Sequence, residues 1–101
     1  MTVSTEKQQW QSPASLTIYD IKQVDQQMHE PLQKGSWMFD LSALKDLDST
    51  GVQWLMMAQR RLQKRGELLQ LVNVQDEIKD IFAVLGVLET LSLKQETNED
   101  D

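Results

Sequence analysis

Between residues 36 and 72 the hydrophobic pattern changes period twice, and that succession leaves few folds open. Residues 36–41 (SWMFDL) are nearly continuously apolar, which suits a central strand covered on both faces. From residue 52 to 65 (VQWLMMAQRRLQKR) the apolar positions return at helical spacing, and Gly66 supplies a stop. Residues 68–72 (LLQLV) then read as another buried strand. A strand, a helix and a strand in direct succession imply an α/β domain with a mainly parallel sheet.

The flanking segments extend this order. Residues 15–19 (SLTIY) alternate and are β-branched, as a strand requires. From Asp20 onward Ile21, Val24, Met28 and Leu32 recur at spacings of three and four, with Lys22, Gln23, Gln26 and Gln27 between them. Asp20 is a candidate N-cap for that helix, and Pro31 should end or kink it near Glu30. A third helix is predicted over 75–85, with Ile78, Ile81, Phe82 and Leu85 on one face and Asp76, Glu77, Lys79 and Asp80 on the other. Gly86 ends it, and residues 87–93 should contain a last short strand. The predicted order is β-α-β-α-β-α-β without internal repeats. Three regions follow: a flexible N-terminal segment 1–12, in which Trp10 could anchor an edge strand, a single folded domain 13–93, and an acidic, disordered tail 94–101.

At 101 residues the chain can build one modest core. No apolar run approaches the roughly 20 residues of a membrane span, and the N-terminus lacks a charged-then-apolar secretory pattern, so a cytoplasmic protein without membrane insertion is expected. The absence of cysteine excludes disulfides, thiol catalysis and zinc-thiolate sites. The net charge is −6, but four acids fall in the last six residues, ETNEDD, and the remainder is close to balanced. Nucleic acid is not an expected partner, because phosphate binding needs clustered positive charge. The one basic cluster, Arg60, Arg61, Lys64 and Arg65, lies in the last turns of a predicted helix, where the helix dipole favours cations. Such a surface permits a monomer.

The segment DSTG at 48–51 sits at the junction between the central strand region and the helix. Capping explains part of it: Asp, Ser and Thr are preferred N-caps, Thr50 with Gln53 fits a capping box, and Gly51 would let a helix start close to the sheet. The same geometry exposes the Ser49 hydroxyl near the carboxyl end of a strand, where open α/β sheets place their ligands. Nucleophilic catalysis would need a base, and the single histidine, His29, lies on another helix. DSTG has neither the G-x-S-x-G elbow nor the Walker phosphate loop, and Asp40, Asp46 and Asp48 have no histidine ligands at useful spacing. No catalytic residue, metal or cofactor is therefore expected. A phosphoserine, by contrast, is favoured at a helix N-terminus and could repel a partner while leaving the fold intact. On the helix that follows, Val52, Leu55, Gln59 and Leu62, flanked by Met56 and Ala58, should cover the sheet. Trp54, Met57 and Arg61 fall on the far side, either as an exposed binding hot spot or, for Trp54, in partial packing against the neighbouring helix.

These residues resemble the STAS domains, named for sulfate transporters and anti-sigma factor antagonists. The segment FDLSALKDLDSTGVQWLMMAQRRLQKRGELLQLVNVQDEIKDIFAVLGVLETL is similar to the family's strand, D-S-x-G loop, helix, G-x-x-L-x-L-V strand and final helix, and LTIYDIKQVDQQM to its earlier strand and first helix. The similarity covers roughly residues 15–93. It implies a four- or five-stranded mixed sheet with about three helices largely on one side, and no enzymatic activity. In the bacterial antagonists, the resemblance implies, Ser49 is phosphorylated by a serine kinase that is also the anti-sigma factor, and a PP2C-type phosphatase reverses it. Asp48 would orient the loop, Thr50 would be a second hydroxyl and Gly51 completes the motif. Only the unphosphorylated form would capture the anti-sigma factor, through a face to which we assign Asp20, Trp54, Met57 and Arg61. The sequence departs from the family in replacing the usual glycine-acid turn after the first core strand by Tyr19-Asp20. Two other roles share the fold: a stand-alone STAS subunit bound to the ATPase of an ABC transporter for lipid asymmetry, and a regulator in a biofilm or chemotaxis-like pathway.

Overall fold

The computed structural model describes residues 8–91. Five short strands and three helices follow in the order β1 (Gln8–Gln11), β2 (Ser15–Leu16), α1 (Ile21–Met28), a 3-10 turn (Pro31–Gln33), β3 (Trp37–Asp40), β4 (Asp46–Leu47), α2 (Ser49–Lys64), β5 (Leu69–Val72) and α3 (Asp76–Val84). Strands β1, β3 and β5 form one sheet in that order, and β2 pairs with β4 in a separate two-stranded ladder. The expected α/β domain is present. Each pairing among the described residues is parallel, so the antiparallel component of a mixed sheet does not occur there.

The central strand is correctly placed but only half covered. Trp37 and Phe39 are buried, whereas Met38 and Asp40 between them are half-exposed; Leu69 and Leu71 alternate with Gln70 and Val72 in the same way on β5. The alternation follows from the pleat, which turns successive side chains to opposite faces. Phe39, Leu71, Leu55, Leu62, Ile78 and Phe82 then meet in one core.

Three of the predicted segments differ from the sequence reading. Residues 8–11 are not part of a loose end: they pair residue for residue with 37–40, and Trp10 packs against Phe39 at 4.7 Å between ring centroids. The predicted strand at 15–19 keeps only its first two residues, because Thr17 to Asp20 turn back to start α1. Beyond α3, the part of 87–93 that the structure describes is a turn rather than a strand, closed by Leu91 N–H to the carbonyl of Val87. The tail 94–101 lies outside the described residues.

Helices α2 and α3 end alike. Gly66 and Gly86 have φ of +76° and +75°, and the next residue in each case reaches back to the third carbonyl from the helix end: Glu67 to Leu62 and Val87 to Phe82, both at 2.9 Å. This is a Schellman closure, and glycine takes the left-handed position without a Cβ clash. Pro31 stops α1 as expected and opens the 3-10 turn, which brings Leu32 into the core.

Candidate functional site

DSTG is the first turn of α2. The helix starts at Ser49, three residues earlier than the hydrophobic period indicated, because Asp48 caps it: its Oδ1 accepts from the Gly51 N–H at 3.1 Å. The capping box expected for Thr50 and Gln53 is therefore not used, since Thr50 is already inside the helix. The second Asp48 oxygen, Oδ2, accepts from the Ile18 N–H at 3.0 Å. One carboxylate thus ties the mouth of α2 to the turn after β2.

Gly51 is required by closeness rather than by backbone angle. A Cβ there would run into the Leu16 carbonyl oxygen of β2 and lie 2.8 Å from Leu47 Cδ1. The helix approaches the short ladder so closely that only hydrogen fits. Ser49, one position after the cap, is exposed, while Thr50 is half-buried.

The turn beside it is fixed by Asp20. The residue occupies the N-cap position of α1, but its side chain does not cap the helix. Its Oδ2 instead accepts from the Ser15 hydroxyl at 2.6 Å and from the Thr17 hydroxyl and N–H at 2.8 and 2.9 Å. These bonds, Ser15 foremost, hold the Asp20 carboxyl below its usual pKa range; for Asp48 the Ile18 N–H is the main cause, with the Gly51 and Thr50 N–H groups adding to it. Both groups are more acidic in the folded than in the unfolded chain. The stability they contribute is complete above the unfolded carboxylate value near pH ~4 and is lost as the pH falls through their lower folded values. Urea midpoints measured from neutral pH down to about pH 2 should fall more steeply for the parent than for an Asp20→Asn, Asp48→Asn double variant. Parallel curves would remove these two carboxylates as the source of acid lability.

Of the two readings of Trp54, the exposed hot spot does not hold and packing against the neighbouring helix does. Trp54 is only 3% exposed. Its indole is stacked on Phe39 (5.9 Å, 11°), lies 5.4 Å from Trp10, and donates from Nε1 to Asp25 Oδ1 of α1 at 3.0 Å. The helical wheel put Trp54 away from the sheet, but α1 and β1 cover that side too, so the buried positions Val52, Trp54, Leu55, Ala58, Gln59 and Leu62 span about 160° of the helix. Met57 is half-buried and packs against the core. Arg61 meets His29 Nδ1 at 3.3 Å, about 18 Å along the helix from Ser49 at 1.5 Å per residue. Of the residues assigned to a partner face, the structure brings only Asp20 into the neighbourhood of Asp48, through the turn 17–20.

Other side chains surround Ser49. Four of the five large apolar residues exposed among the described residues belong there: Ile18 and Tyr19 on the turn that Asp48 holds, and Val84 and Leu85 at the end of α3. Tyr19 is 92% and Val84 84% exposed. A groove of about 320 Å³ runs between α2 and α3, lined by Asp48, Ser49, Asp80, Ile81, Val84 and Leu85. The sequence reading missed Ile18, Tyr19 and Val84; the available signal was a pair of large apolar residues in a turn and a valine outside the apolar stripe of α3.

No curated protein gives a match. A family model described as "Mlab, STAS domain" matches residues 14–93, the stretch that holds β2 to α3 and the whole Ser49 neighbourhood. The chain belongs to this STAS domain family.

Proposed function

We propose that this STAS domain is a non-catalytic protein-docking switch centred on Ser49. The observation that carries the reading is the combination at the start of α2: a hydroxyl exposed to solvent, held at a fixed position by the Asp48 cap, and flanked by apolar side chains that the fold leaves uncovered. Apolar patches of this kind are a feature of protein interfaces. His29 is engaged near the far end of α2, which leaves it out of reach as a base for Ser49. A phosphate on Ser49 would enter at a helix N-terminus, where the dipole and free N–H groups favour an anion, so the fold tolerates it while a hydrated dianion stands at the edge of the apolar contact surface.

In the antagonist-type reading, a serine kinase that is also the anti-sigma factor modifies Ser49 and a PP2C-type phosphatase restores it. A second reading rests on the apolar patch alone: the same face docks on the ATPase of an ABC transporter for lipid asymmetry, and Ser49 acts as a contact without being modified. Intact-mass and phosphosite analysis of the protein from its native cells separates the two. Phosphate on Ser49 in the partner-free pool supports the switch; an unmodified Ser49 with a co-purifying transporter ATPase supports the subunit.

Variants test the face itself. Ser49 is not the cap, so Ser49→Ala should leave stability within about 0.5 kcal/mol and bind the native partner at least as well as the parent. Ser49→Asp should fold equally well and bind more weakly. Equal affinity of the two variants for that partner would count against a switch at this position.

A further inference from the structure

Helix α3 presents a graded stripe toward the Ser49 groove. Asp76, Asp80 and Val84 follow each other at four-residue spacing, as do Glu77, Ile81 and Leu85, so each row begins acidic and ends apolar. Lys79, by the same geometry, falls on the opposite side of the helix. Asp48 joins Asp80 as the second carboxylate in the groove lining. The lining contains no cation, and the four residues contributed by α3 are one acid and three aliphatic side chains.

From this arrangement we propose that the groove between the start of α2 and the end of α3 receives an amphipathic helix of a partner protein that carries lysine or arginine beside its apolar anchors. The inference rests on the docking reading above and names the chemistry of the partner. Leucine- or phenylalanine-sized anchors enter between Ile81, Val84 and Leu85, and cations lie along Asp76, Glu77 and Asp80. An apolar groove of this kind is a common seat for a helix face, and charge complementarity fixes its direction along α3. The same carboxylates disfavour two other occupants: this chain's own acidic segment ETNEDD and an anionic lipid surface. A phosphate on Ser49 opposes this occupant through the cost of desolvating a dianion beside Ile81, Val84 and Leu85, and not through repulsion of the partner's cations.

The test uses the full chain, labelled with nitrogen-15, and two synthetic amphipathic helices of about four turns, one with leucine and lysine on opposite faces and one with glutamate in place of lysine. The lysine peptide should shift the amide signals of Ser49, Asp80, Ile81, Val84 and Leu85, and the glutamate peptide should not. Asp80→Lys and Val84→Asp, both at exposed positions, should retain the parent's circular dichroism and each weaken the lysine peptide about tenfold. Shifts that map elsewhere, equal binding of both peptides, or no effect of either variant would overturn the proposal. So would self-association through this groove, seen by sedimentation of the protein alone, or binding to vesicles rich in phosphatidylserine. If the peptides fail while Ser49→Asp still weakens the native partner, the partner chemistry falls and the docking reading stands.

Discussion

Truncation of Trp54 to alanine lowers the free energy of unfolding by about 3–5 kcal/mol, the range for emptying an aromatic site in a packed core. The indole is the meeting point of three elements: it stacks on Phe39 of β3, touches Trp10 of β1 and is hydrogen-bonded to Asp25 of α1. Removing it leaves a cavity facing two aromatic rings and an Asp25 carboxylate without its donor. Trp54→Phe separates these contributions, because it retains a ring but not the N–H; a loss of about 1 kcal/mol is expected from the hydrogen bond alone. Urea denaturation followed by far-ultraviolet circular dichroism measures both. A Trp54→Ala loss below about 1 kcal/mol, the scale of a surface change, would mean that the ring does not hold the layers together.

The second large effect has an unusual sign. At an open position inside a helix, glycine to alanine is stabilising by about 1 kcal/mol. At Gly51 the same change should destabilise by about 3 kcal/mol, because the added methyl meets the Leu16 carbonyl oxygen, a backbone atom that cannot rotate away. Relief requires α2 to lift from the β2–β4 ladder. That would also pull Asp48 from Ile18 and disturb the turn beside Ser49. A stability gain in Gly51→Ala, measured by the same denaturation, would show that the helix sits farther from β2 than described.

The three helices, the strands before and after α2 and the serine loop were legible in the sequence, since long periodic segments announce themselves, whereas the two-residue β4 was not. The apolar periods located α1, α2, α3, β3 and β5 to within a few residues, and glycine and proline marked the stops. Boundaries failed where a side chain outweighed the period: nothing in the spacing of Val52 to Leu62 shows that Asp48 extends α2 back to Ser49. The burial of Trp54 was left open between two readings for a different reason. A helical wheel ranks positions against one neighbour, whereas α2 is covered by the sheet, by α1 and by Trp10 of β1. The exposed residues around Ser49 were hardest to read, because Tyr19 and Val84 come together only after the chain has folded. Asp20 was legible as an acid at a turn, but its choice of Ser15 and Thr17 over the helix it precedes depends on the path of the loop.

Strand β1 lies before the stretch that matches the family, which begins at residue 14, yet Trp10 fills part of the core within that stretch. The family boundary and the physical boundary of this molecule therefore do not coincide. A chain cut back to residue 14 would uncover one flank of Phe39 and Trp54 and turn the apolar β3 from an interior strand into a free sheet edge, the kind of surface along which chains add to one another. Gln8–Gln11 is thus a built-in guard rail: with three glutamines around a single tryptophan it offers its polar residues to solvent and its one ring to the core.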